Sequence, residues 1–416
     1  MKITYLHQYF NTPSMSGGTR SYEMARRLVA MGHEVNMVTS WRESDGRKTA
    51  FITFESGIRV HWLPVHYSNH MAYRDRILAF LNFAFLSSQR AASLESDIIF
   101  ATSTPLTISL PAIYASHKLK IPMVFEVRDL WPEMPIAIGA LTNPILVRSA
   151  RALENWAYRH SSAIVALSPG MKDKVARTGY PSCQVAVIPN GCDNNEFACE
   201  HNAAQRFRAM RSWLGNRPLL IYTGTFGRVN GVGYAVSMAA ELDKLGSNIR
   251  ILLVGDGAER EIITDLARKK GVLNRNLFIE KKVPKSEVPA LLSAATASSA
   301  LFIDLPEMRV NSANKFFDSL AAGKPIFLNY GGWMHDLVLQ YQCGIAAWGR
   351  PLDEVARELD SCLNDAKWLE SAGLSARTLA QHLFDRDALA SQLERVFVTV
   401  ENGSLGTVES IAPGVY

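Results

Sequence analysis

The stretch MKITYLHQYFNTPSMSGGTRSYEMARRLVAMGHEVNMVTS (1–40) decides the fold class. Residues 2–6 predict a strand. Residues 19–31 predict a helix, because Ser21, Ala25 and Leu28 recur at helical spacing before Gly32 ends the pattern. Residues 34–39 predict a second strand. A strand, a helix and a second strand in this order form a βαβ unit, from which parallel sheets are built.

The same alternation continues along the rest of the chain. Short apolar runs predict further strands at 59–63, 97–101, 123–127, 163–167 and 185–188, and a second series at 219–222, 250–254, 276–279, 300–303, 325–328 and 344–347. A polar stretch, 193–216, separates the two series. We therefore predict an α/β protein with two Rossmann-like, doubly wound domains, 1–195 and 206–384, that face a central cleft.

The composition excludes several classes of protein. Lys and Arg number 44 against 39 Asp and Glu, and the net charge of +5 favours anionic ligands or a membrane surface without predicting nucleic-acid binding. The 5 cysteines form no C-x-x-C pair, so we expect neither a disulfide framework nor a zinc site. No apolar run approaches the roughly 20 residues of a membrane-spanning helix, and the start lacks the pattern of a signal peptide. These features predict a cytoplasmic protein.

Two loops of the first series carry candidate binding residues. Gly17 and Gly18 lie before the first helix, where backbone N–H groups can approach an anion, and Arg20 adds a positive charge. The alternative is a plain glycine-bearing connection.

The second loop is EVRDLWPEMP (126–135), which follows the strand at 123–127. Its candidates, Arg128, Asp129, Trp131 and Glu133, would lie at the carboxyl edge of the sheet, where ligands of doubly wound domains bind. Trp131 could stack on a sugar or on a prenyl chain. The alternative is a buried ion pair between Arg128 and a carboxylate.

The second series offers three further segments. In TGTFGRVNG (223–231), Gly224 and Gly227 would shape a phosphate cradle and Arg228 would neutralise the phosphate. Asp256 follows the strand at 250–254, where a tight turn explains it equally well.

The third segment, NKFFDSLAAGKP (314–325), opens a helix with Asn314 and Lys315. A lysine in the first turn opposes the helix dipole unless an anion is near. Asp318 lies on the same face, so a diphosphate and a ribose diol would fit this spacing, while the alternative is a solvated Lys–Asp pair.

The common nucleotide and metal motifs are missing. The sequence has no G-x-G-x-x-G run that opens a helix and no Walker A motif, since Pro325 follows Gly323-Lys324. No cluster of His, Cys or carboxylate residues has metal-ligand spacing. We expect no metal and no other cofactor.

Taken in order, SGGTRSYEMARRLVAMGHEV, RDLWPE, VIPNGCDNNEF, TGTFGRVNGV, VGDGAERE and NKFFDSLAAGKP resemble the retaining glycosyltransferases of family 4, which have the GT-B fold. The resemblance covers nearly the whole chain. RDLWPE and NKFFD are most similar to transferases of N-acetylated amino sugars in bacterial O-antigen or capsule synthesis, of the N-acetylfucosaminyl type.

The resemblance implies that the two domains bind different substrates. The first domain would bind a lipid-linked (polyprenyl diphosphate) saccharide acceptor through Arg20, Arg128, Trp131 and Glu133, and helix 385–400 would cross back to it. The second would bind a UDP-sugar. The implied catalytic residues are Asp129, Arg228 and Lys315; the implied nucleotide-sugar-binding residues are Gly17, Gly18, Gly224, Gly227, Asp256, Asn314 and Asp318.

The sequence departs from the family pattern in two places. Many members carry two glutamates eight residues apart, where this chain has Val310 and Asp318. Many also carry an arginine and a lysine where this chain has Thr225 and Asn230. The diphosphate cations are therefore expected to be Arg228 and Lys315.

Residues 73–90 combine apolar side chains with basic flanks at Arg74, Arg76 and Arg90. This pattern suits either an interfacial helix on anionic lipid or a buried helix with basic ends. The implied lipid-linked acceptor favours the inner face of the bacterial membrane. The competing functions are a nucleotide-sugar epimerase or hydrolase of the same fold and a non-catalytic scaffold in polysaccharide assembly.

Overall fold

The structure is a computed structural model that describes residues 1–15, 17–43, 45–68, 71–197, 202–403 and 408, with Tyr73 described through its backbone alone. The chain divides into two compact units. The first contains Met1–Thr12, Thr19–Pro189 and the chain from Arg386; the second contains Pro13–Gly18 and Asn190–Asp385. Residues 198–201, between the two predicted domains, lie outside the described residues.

Each unit is built on one sheet. The strands of the first unit are β1 (Lys2–Leu6), β2 (Glu34–Trp41), β3 (Phe51–Glu55), β4 (Ile58–Pro64), β5 (Ile98–Thr102), β6 (Met123–Val127), β7 (Ala163–Ala166) and β8 (Val185–Val187). Those of the second unit are β9 (Leu219–Thr225), β10 (Arg250–Asp256), β11 (Leu277–Glu280), β12 (Ala297–Ala300), β13 (Ile326–Leu328) and β14 (Gly344–Ala346).

Helices connect the strands. Those of the first unit are α1 (Arg20–Ala30), α2 (Tyr73–Ala91), α3 (Ser109–Leu119), α4 (Glu133–Ala137), α5 (Pro144–Arg159) and α6 (Pro169–Arg177). Those of the second unit are α7 (Ala203–Ala209), α8 (Gly233–Lys244), α9 (Arg260–Lys269), α10 (Val288–Ala294), α11 (Asn314–Ala321), α12 (Trp333–Tyr341), α13 (Leu352–Leu363) and α14 (Ala366–Leu383). The last helix, α15 (Arg386–Glu401), returns to the first unit and packs against α1.

The strand orders confirm the predicted fold class. The second sheet has the order β11-β10-β9-β12-β13-β14 and is parallel throughout. The first has the order β3-β4-β2-β1-β5-β6-β7-β8, and only the β3–β4 pair is antiparallel. The strand order reverses direction between β1 and β5 in one sheet and between β9 and β12 in the other. Ligands of doubly wound sheets bind beyond the carboxyl ends of the strands at such points.

Two strand predictions were wrong. The strand expected at 300–303 lies at Ala297–Ala300, because small Ala and Ser side chains let helix α11 pack closely over it and gave no β-branched signal. Strand β3 was not predicted. It is an edge strand whose Phe54 side chain is 70% exposed, so it lacks the apolar run that marks a central strand.

A buried ion pair ties the first unit together. Arg20, in the first turn of α1, donates from Nε (3.0 Å) and Nη2 (2.8 Å) to Oε1 of Glu126 on β6, and both side chains are fully buried. The guanidinium also donates to the carbonyl oxygens of Ile188 (2.8 Å) and Pro189 (2.6 Å). The prediction that Arg20 binds the acceptor is therefore wrong, since burial and these contacts leave its guanidinium no access to a ligand.

The Arg20→Met substitution should destabilise the protein strongly, because it leaves the Glu126 carboxylate buried without its cation. We expect the free energy of unfolding to fall by about 3–5 kcal/mol, measured as a shift of the urea midpoint at unchanged slope. Lys2→Ala is the matched control, because Lys2 pairs with Glu95, whose side chain is 85% exposed, and such surface pairs contribute about 0–1 kcal/mol. Equal effects of the two substitutions would contradict the assigned role of the buried pair.

Candidate functional site

Lys315 lies at the switch point of the second sheet. It is the second residue of α11, and its Nζ donates to the Tyr222 hydroxyl oxygen at 3.0 Å. Nζ also lies 4.2 Å from the centroid of the Tyr222 ring and 5.3 Å from that of Phe302. No carboxylate among the described residues forms an ion pair with it. Burial lowers the pKa of Lys315 to about 7, so the site holds a cation that lacks an internal counter-ion.

Two glycines, Gly224 beside Lys315 and Gly257 at the end of the neighbouring strand, leave no room for a side chain at this edge of the sheet. Gly224 has φ +148°, and a Cβ there would lie 3.1 Å from Lys315 Nζ and 3.3 Å from the Tyr222 hydroxyl. A Cβ on Gly257, at the end of the neighbouring strand, would lie 2.6 Å from the carbonyl oxygen of Phe226. The structure therefore brings together the predicted residues Gly224 and Lys315, and a larger residue at either glycine would disturb this edge of the sheet.

The other predicted phosphate-loop residues lie nearby along the chain. Gly227 precedes a single 3₁₀ turn, Arg228–Asn230, in which Arg228 is exposed. Gly227 itself has φ −112°, so its backbone does not require glycine. Asp256 ends β10, is exposed, and accepts the backbone N–H of Gly257 at 2.9 Å, which agrees with the tight-turn alternative.

Asp318 has a partner that the sequence did not reveal. Its Oδ1 accepts from Lys285 Nζ at 2.5 Å, and the two side chains are 11% and 13% exposed. Lys285 also lies 5.4 Å from the ring centroid of Phe197. Asn314, the first residue of α11, is half-buried. The carboxylate expected to hold a ribose is therefore already oriented by a lysine in the segment that follows β11.

The carboxyl edge of the first sheet gathers residues from three strands. Arg128 follows β6 and donates from Nη1 to His7 Nε2 at 3.3 Å, while its backbone N–H donates to the Ser103 hydroxyl at 3.0 Å. Asp129 is exposed and accepts from the Thr104 hydroxyl at 2.8 Å. Arg128 therefore contacts residues that follow β1 and β5, the strands on either side of the switch point, whereas Asp129 contacts the segment that follows β5.

His7 belongs to this edge and was not predicted. It directly follows β1, which is the signal that could have identified it. Burial, together with the positive charges of Arg128 and Arg42, holds the pKa of His7 well below 6.5. Because an arginine can only donate, Nε2 is the acceptor and the proton lies on Nδ1. A neutral imidazole therefore orients the Arg128 guanidinium.

The remaining predicted residues lie apart from these contacts. Trp131 is half-buried, and Glu133, in α4, lies 3.7 Å from Arg151 of α5. Gly17, with φ +130°, and Gly18 belong to the segment grouped with the second unit.

A polar cavity in the first unit lies elsewhere. It measures about 360 Å³ and is lined by residues that include Asn155, Arg159, Ser161 and Gln184. Ser161 and Gln184 precede β7 and β8, so this cavity opens at the amino ends of the strands. Ligands of this class of fold bind at the opposite edge, and we therefore assign the function to the carboxyl edges.

Comparison with known proteins agrees with this architecture. The Glycosyl transferase 4-like domain model matches residues 17–191, and the Glycosyl transferases group 1 model matches residues 205–378. The glycogen synthase of Mycobacterium tuberculosis (strain CDC 1551 / Oshkosh) is 25% identical over 299 residues, which are 71% of this chain and 67% of that protein.

Two solved structures share the fold. HepE of Anabaena in complex with UDP-glucose superposes with a TM-score of 0.72 at 17% identity, covering 96% of this chain and 100% of that one. WaaG, a glycosyltransferase involved in lipopolysaccharide biosynthesis, superposes with a TM-score of 0.69 at 17% identity, covering 95% of this chain and 99% of that one. The two domain matches and the two doubly wound sheets lead to one conclusion: the chain is a glycosyltransferase of the GT-B type, with a glycosyl transferase 4-like domain followed by a group 1 domain.

Proposed function

We propose that the chain is a retaining glycosyltransferase that moves a sugar from a UDP-sugar to a lipid-linked saccharide in the synthesis of bacterial surface polysaccharide. The observation that supports binding of a nucleotide-sugar donor is the position of Lys315 at the switch point of the second sheet. No carboxylate of the described residues forms an ion pair with this cation. The family resemblance of RDLWPE and NKFFD supports an N-acetylated amino sugar and an O-antigen or capsule product. The HepE complex with UDP-glucose supports UDP as the nucleotide.

The proposed chemistry is the departure of UDP from the anomeric carbon. Lys315 and Arg228 would stabilise the negative charge that develops on the leaving diphosphate. Asp318, oriented by Lys285, would bind the ribose hydroxyls. Asp129 would orient the acceptor or stabilise the oxocarbenium ion, and the leaving phosphate would take the proton of the acceptor hydroxyl. This chemistry uses fixed protein cations in place of a divalent metal.

The first unit has features suited to a lipid-linked acceptor. On α2, the inward residues Ala79, Phe83 and Ala84 are buried, whereas Leu78, Leu81 and Phe85 are 63%, 49% and 63% exposed. The outward set recurs at helical spacing, so it forms one apolar stripe. The 73–90 segment therefore contributes one face to the core and leaves the other open.

Helices α3 and α5 extend this surface. α3 packs against both α2 and α5. The three helices expose Tyr114, Ile145 and Trp156 besides the α2 stripe, and they carry basic residues at 74, 76, 90, 118, 148, 151 and 159 against acidic residues at 75 and 154. Apolar side chains among basic ones suit the interface of an anionic bilayer. None of the described helices is long and apolar enough to span a membrane.

The proposed activity is tested by incubating the purified protein with UDP-N-acetyl amino sugars and undecaprenyl-diphosphate-linked saccharides, with products identified by mass spectrometry. We expect acceptor extension with retained anomeric configuration and release of UDP. Donor epimerisation or hydrolysis at an equal rate without acceptor would favour the alternative enzyme class. Binding of UDP without turnover on any acceptor would favour a scaffold.

UDP affinity should depend on pH through Lys315. Its pKa of about 7 means that the ammonium is charged below that pH and neutral above it, and a bound diphosphate favours the charged form. Between pH 7.5 and 8.5, where neither the diphosphate nor the uracil ring of UDP changes its charge appreciably, we expect the affinity to fall by up to about tenfold per pH unit. Calorimetry with Lys315→Met should show weaker binding at pH 7.5 and no such slope. An unchanged slope in the variant would remove Lys315 from the diphosphate site.

Replacing the apolar stripe of α2 should weaken membrane binding. The variant Leu78→Gln, Leu81→Gln, Phe85→Gln removes apolar surface from the proposed interface, and each such side chain is worth about 1.5–3 kcal/mol when fully buried. We expect at least a tenfold lower partition into vesicles that contain phosphatidylglycerol, measured by flotation. The matched control replaces leucines of comparable exposure in the second unit, Leu245, Leu339 and Leu374, by glutamine. Equal losses in the two variants would refute the assigned surface.

A further inference from the structure

A cluster of two arginines and two tyrosines lies at the carboxyl edge of the first sheet, apart from Arg128 and Asp129. Tyr9 follows β1, Arg42 follows β2, Tyr67 follows β4, and Arg76 lies in the first turn of α2. Strands β1, β2 and β4 are adjacent in the sheet. The three strand ends and the helix that follows β4 therefore bring these four residues together.

Aromatic rings hold the two guanidinium groups. Arg42 Cζ lies 5.8 Å from the centroid of the Tyr9 ring, and Arg76 Cζ lies 5.7 Å from that of Tyr67. The two tyrosine rings are 5.0 Å apart, and Tyr67 stacks on Phe80 of α2 at 5.5 Å. Stacking of this kind fixes the plane of an arginine while leaving its N–H groups for another partner.

Neither arginine is neutralised within the described part of the chain. Arg42 donates from Nη2 to the carbonyl oxygen of Phe10 (3.2 Å) and to Asn11 Oδ1 (2.5 Å), both of which are neutral acceptors. Arg76 Nε is buried and has no hydrogen-bond acceptor among the described residues. Glu43, the chain neighbour of Arg42, is exposed and forms no ion pair with it. Burial lowers the pKa of Arg42, although the nearby Tyr9, Glu43 and Tyr67 offset part of this effect.

Arg42 and Arg76 are half-buried, and no carboxylate of the described residues forms an ion pair with either, so both guanidinium groups can take up an anion from outside the chain. Arginine forks match phosphate oxygens with two parallel hydrogen bonds, so an anion with several phosphate oxygens fits two forks better than a single carboxylate does. Phe80, which supports Tyr67, also belongs to α2, but Phe80 and Arg76 face away from the exposed stripe of Leu78, Leu81 and Phe85, since residues two positions apart in a helix point in nearly opposite directions. The acceptor of the proposed function carries such an anion, a diphosphate.

We propose that Arg42 and Arg76, held by Tyr9 and Tyr67, bind the diphosphate of the polyprenyl-linked acceptor. This inference rests on the proposed function and names the residues that recognise the charged group of its acceptor. The site lies beyond β2 and β4, whereas Asp129 lies beyond β6. From β2 to β6 there are three strand intervals of about 4.8 Å each, which leaves space for a short saccharide between the diphosphate and Asp129.

The test measures binding of the full chain to neutral phosphatidylcholine vesicles that carry undecaprenyl diphosphate. The variant Arg42→Gln, Arg76→Gln should lower the affinity by about tenfold to a hundredfold, because hydrogen bonds to charged groups contribute about 1.5–3 kcal/mol each. The matched control, Arg148→Gln with Arg159→Gln, removes the same charge from exposed positions of α5. It should leave binding to these neutral vesicles within about twofold of the wild type.

Vesicles that contain phosphatidylglycerol but no diphosphate lipid separate the two sources of lipid phosphate. Here the two double variants should lose affinity to a similar extent, because both remove two charges from the same surface. If they also lose affinity equally on the diphosphate vesicles, the cluster binds anionic bilayers only and the proposal fails. Unchanged binding of Arg42→Gln, Arg76→Gln to the diphosphate vesicles would overturn it as well.

Two further measurements separate loss of diphosphate binding from misfolding and from loss of UDP binding. Arg42→Lys with Arg76→Lys keeps both charges but loses the planar forks, so it should give an intermediate affinity while its melting temperature stays near that of the wild type. UDP binding should be unaffected in every variant. Wild-type protein that binds UDP but not the diphosphate vesicles would refute this inference and leave the donor site standing, whereas failure to bind UDP would refute the proposed function itself.

Discussion

A lysine ammonium beside aromatic rings, with no ion-paired carboxylate among the described residues, is the constraint on which the proposed function of the second unit depends. A charge in such a place either loses its proton or acquires an anion. Burial lowers the pKa of Lys315 to about 7, which is near the balance of these two outcomes at neutral pH. The surroundings maintain that balance. Gly224 has no side chain to fill the space beside the ammonium, and the Tyr222 hydroxyl, which donates to the Thr225 carbonyl oxygen at 2.9 Å, can only accept from the lysine.

The charged residues of the first unit divide according to the source of their counter-ion. Arg20 finds it inside the protein, in Glu126, and is fully buried as a result. Arg128 contacts a neutral histidine, and Arg42 contacts a carbonyl and an amide oxygen, so these two keep their positive charge at the edge of the sheet. Arg20 is structural because its guanidinium is fully buried and donates twice to the Glu126 carboxylate. Arg128 also acts on Glu126 through its charge, but the side chains of Arg128 and Arg42 donate to neutral acceptors, and these two are the proposed binding residues.

The sequence predicted the fold well because apolar periodicity determines which segments become strands and helices. β1 and β6 have the predicted bounds, and Arg128, Asp129 and Lys315 lie at the strand ends or helix start where the pattern put them. The failures have physical reasons. β12 is made of small residues without β propensity, and the Arg20–Glu126 and Lys285–Asp318 pairs join segments 106 and 33 residues apart. Such pairings depend on how loops pack, which no local pattern contains.

Helix α2 combines the features of a core helix and of an interfacial helix, because it has apolar residues on both its buried and its exposed face. Phe83 and Phe85 stand two positions apart in a helix, so they face nearly opposite directions, and one is buried while the other is exposed. An apolar residue on an exposed helix face adds nothing to the stability of the isolated unit, yet here such residues recur over about two turns beside basic residues. Exposed apolar stripes of this kind mark interaction surfaces. A bilayer accounts for both parts of the pattern, because its hydrocarbon takes up Leu78, Leu81 and Phe85 while its phosphates attract the arginines around them. A soluble sugar acceptor would use the arginines but would give no reason for the stripe, and this difference is what favours a lipid-linked acceptor for this enzyme.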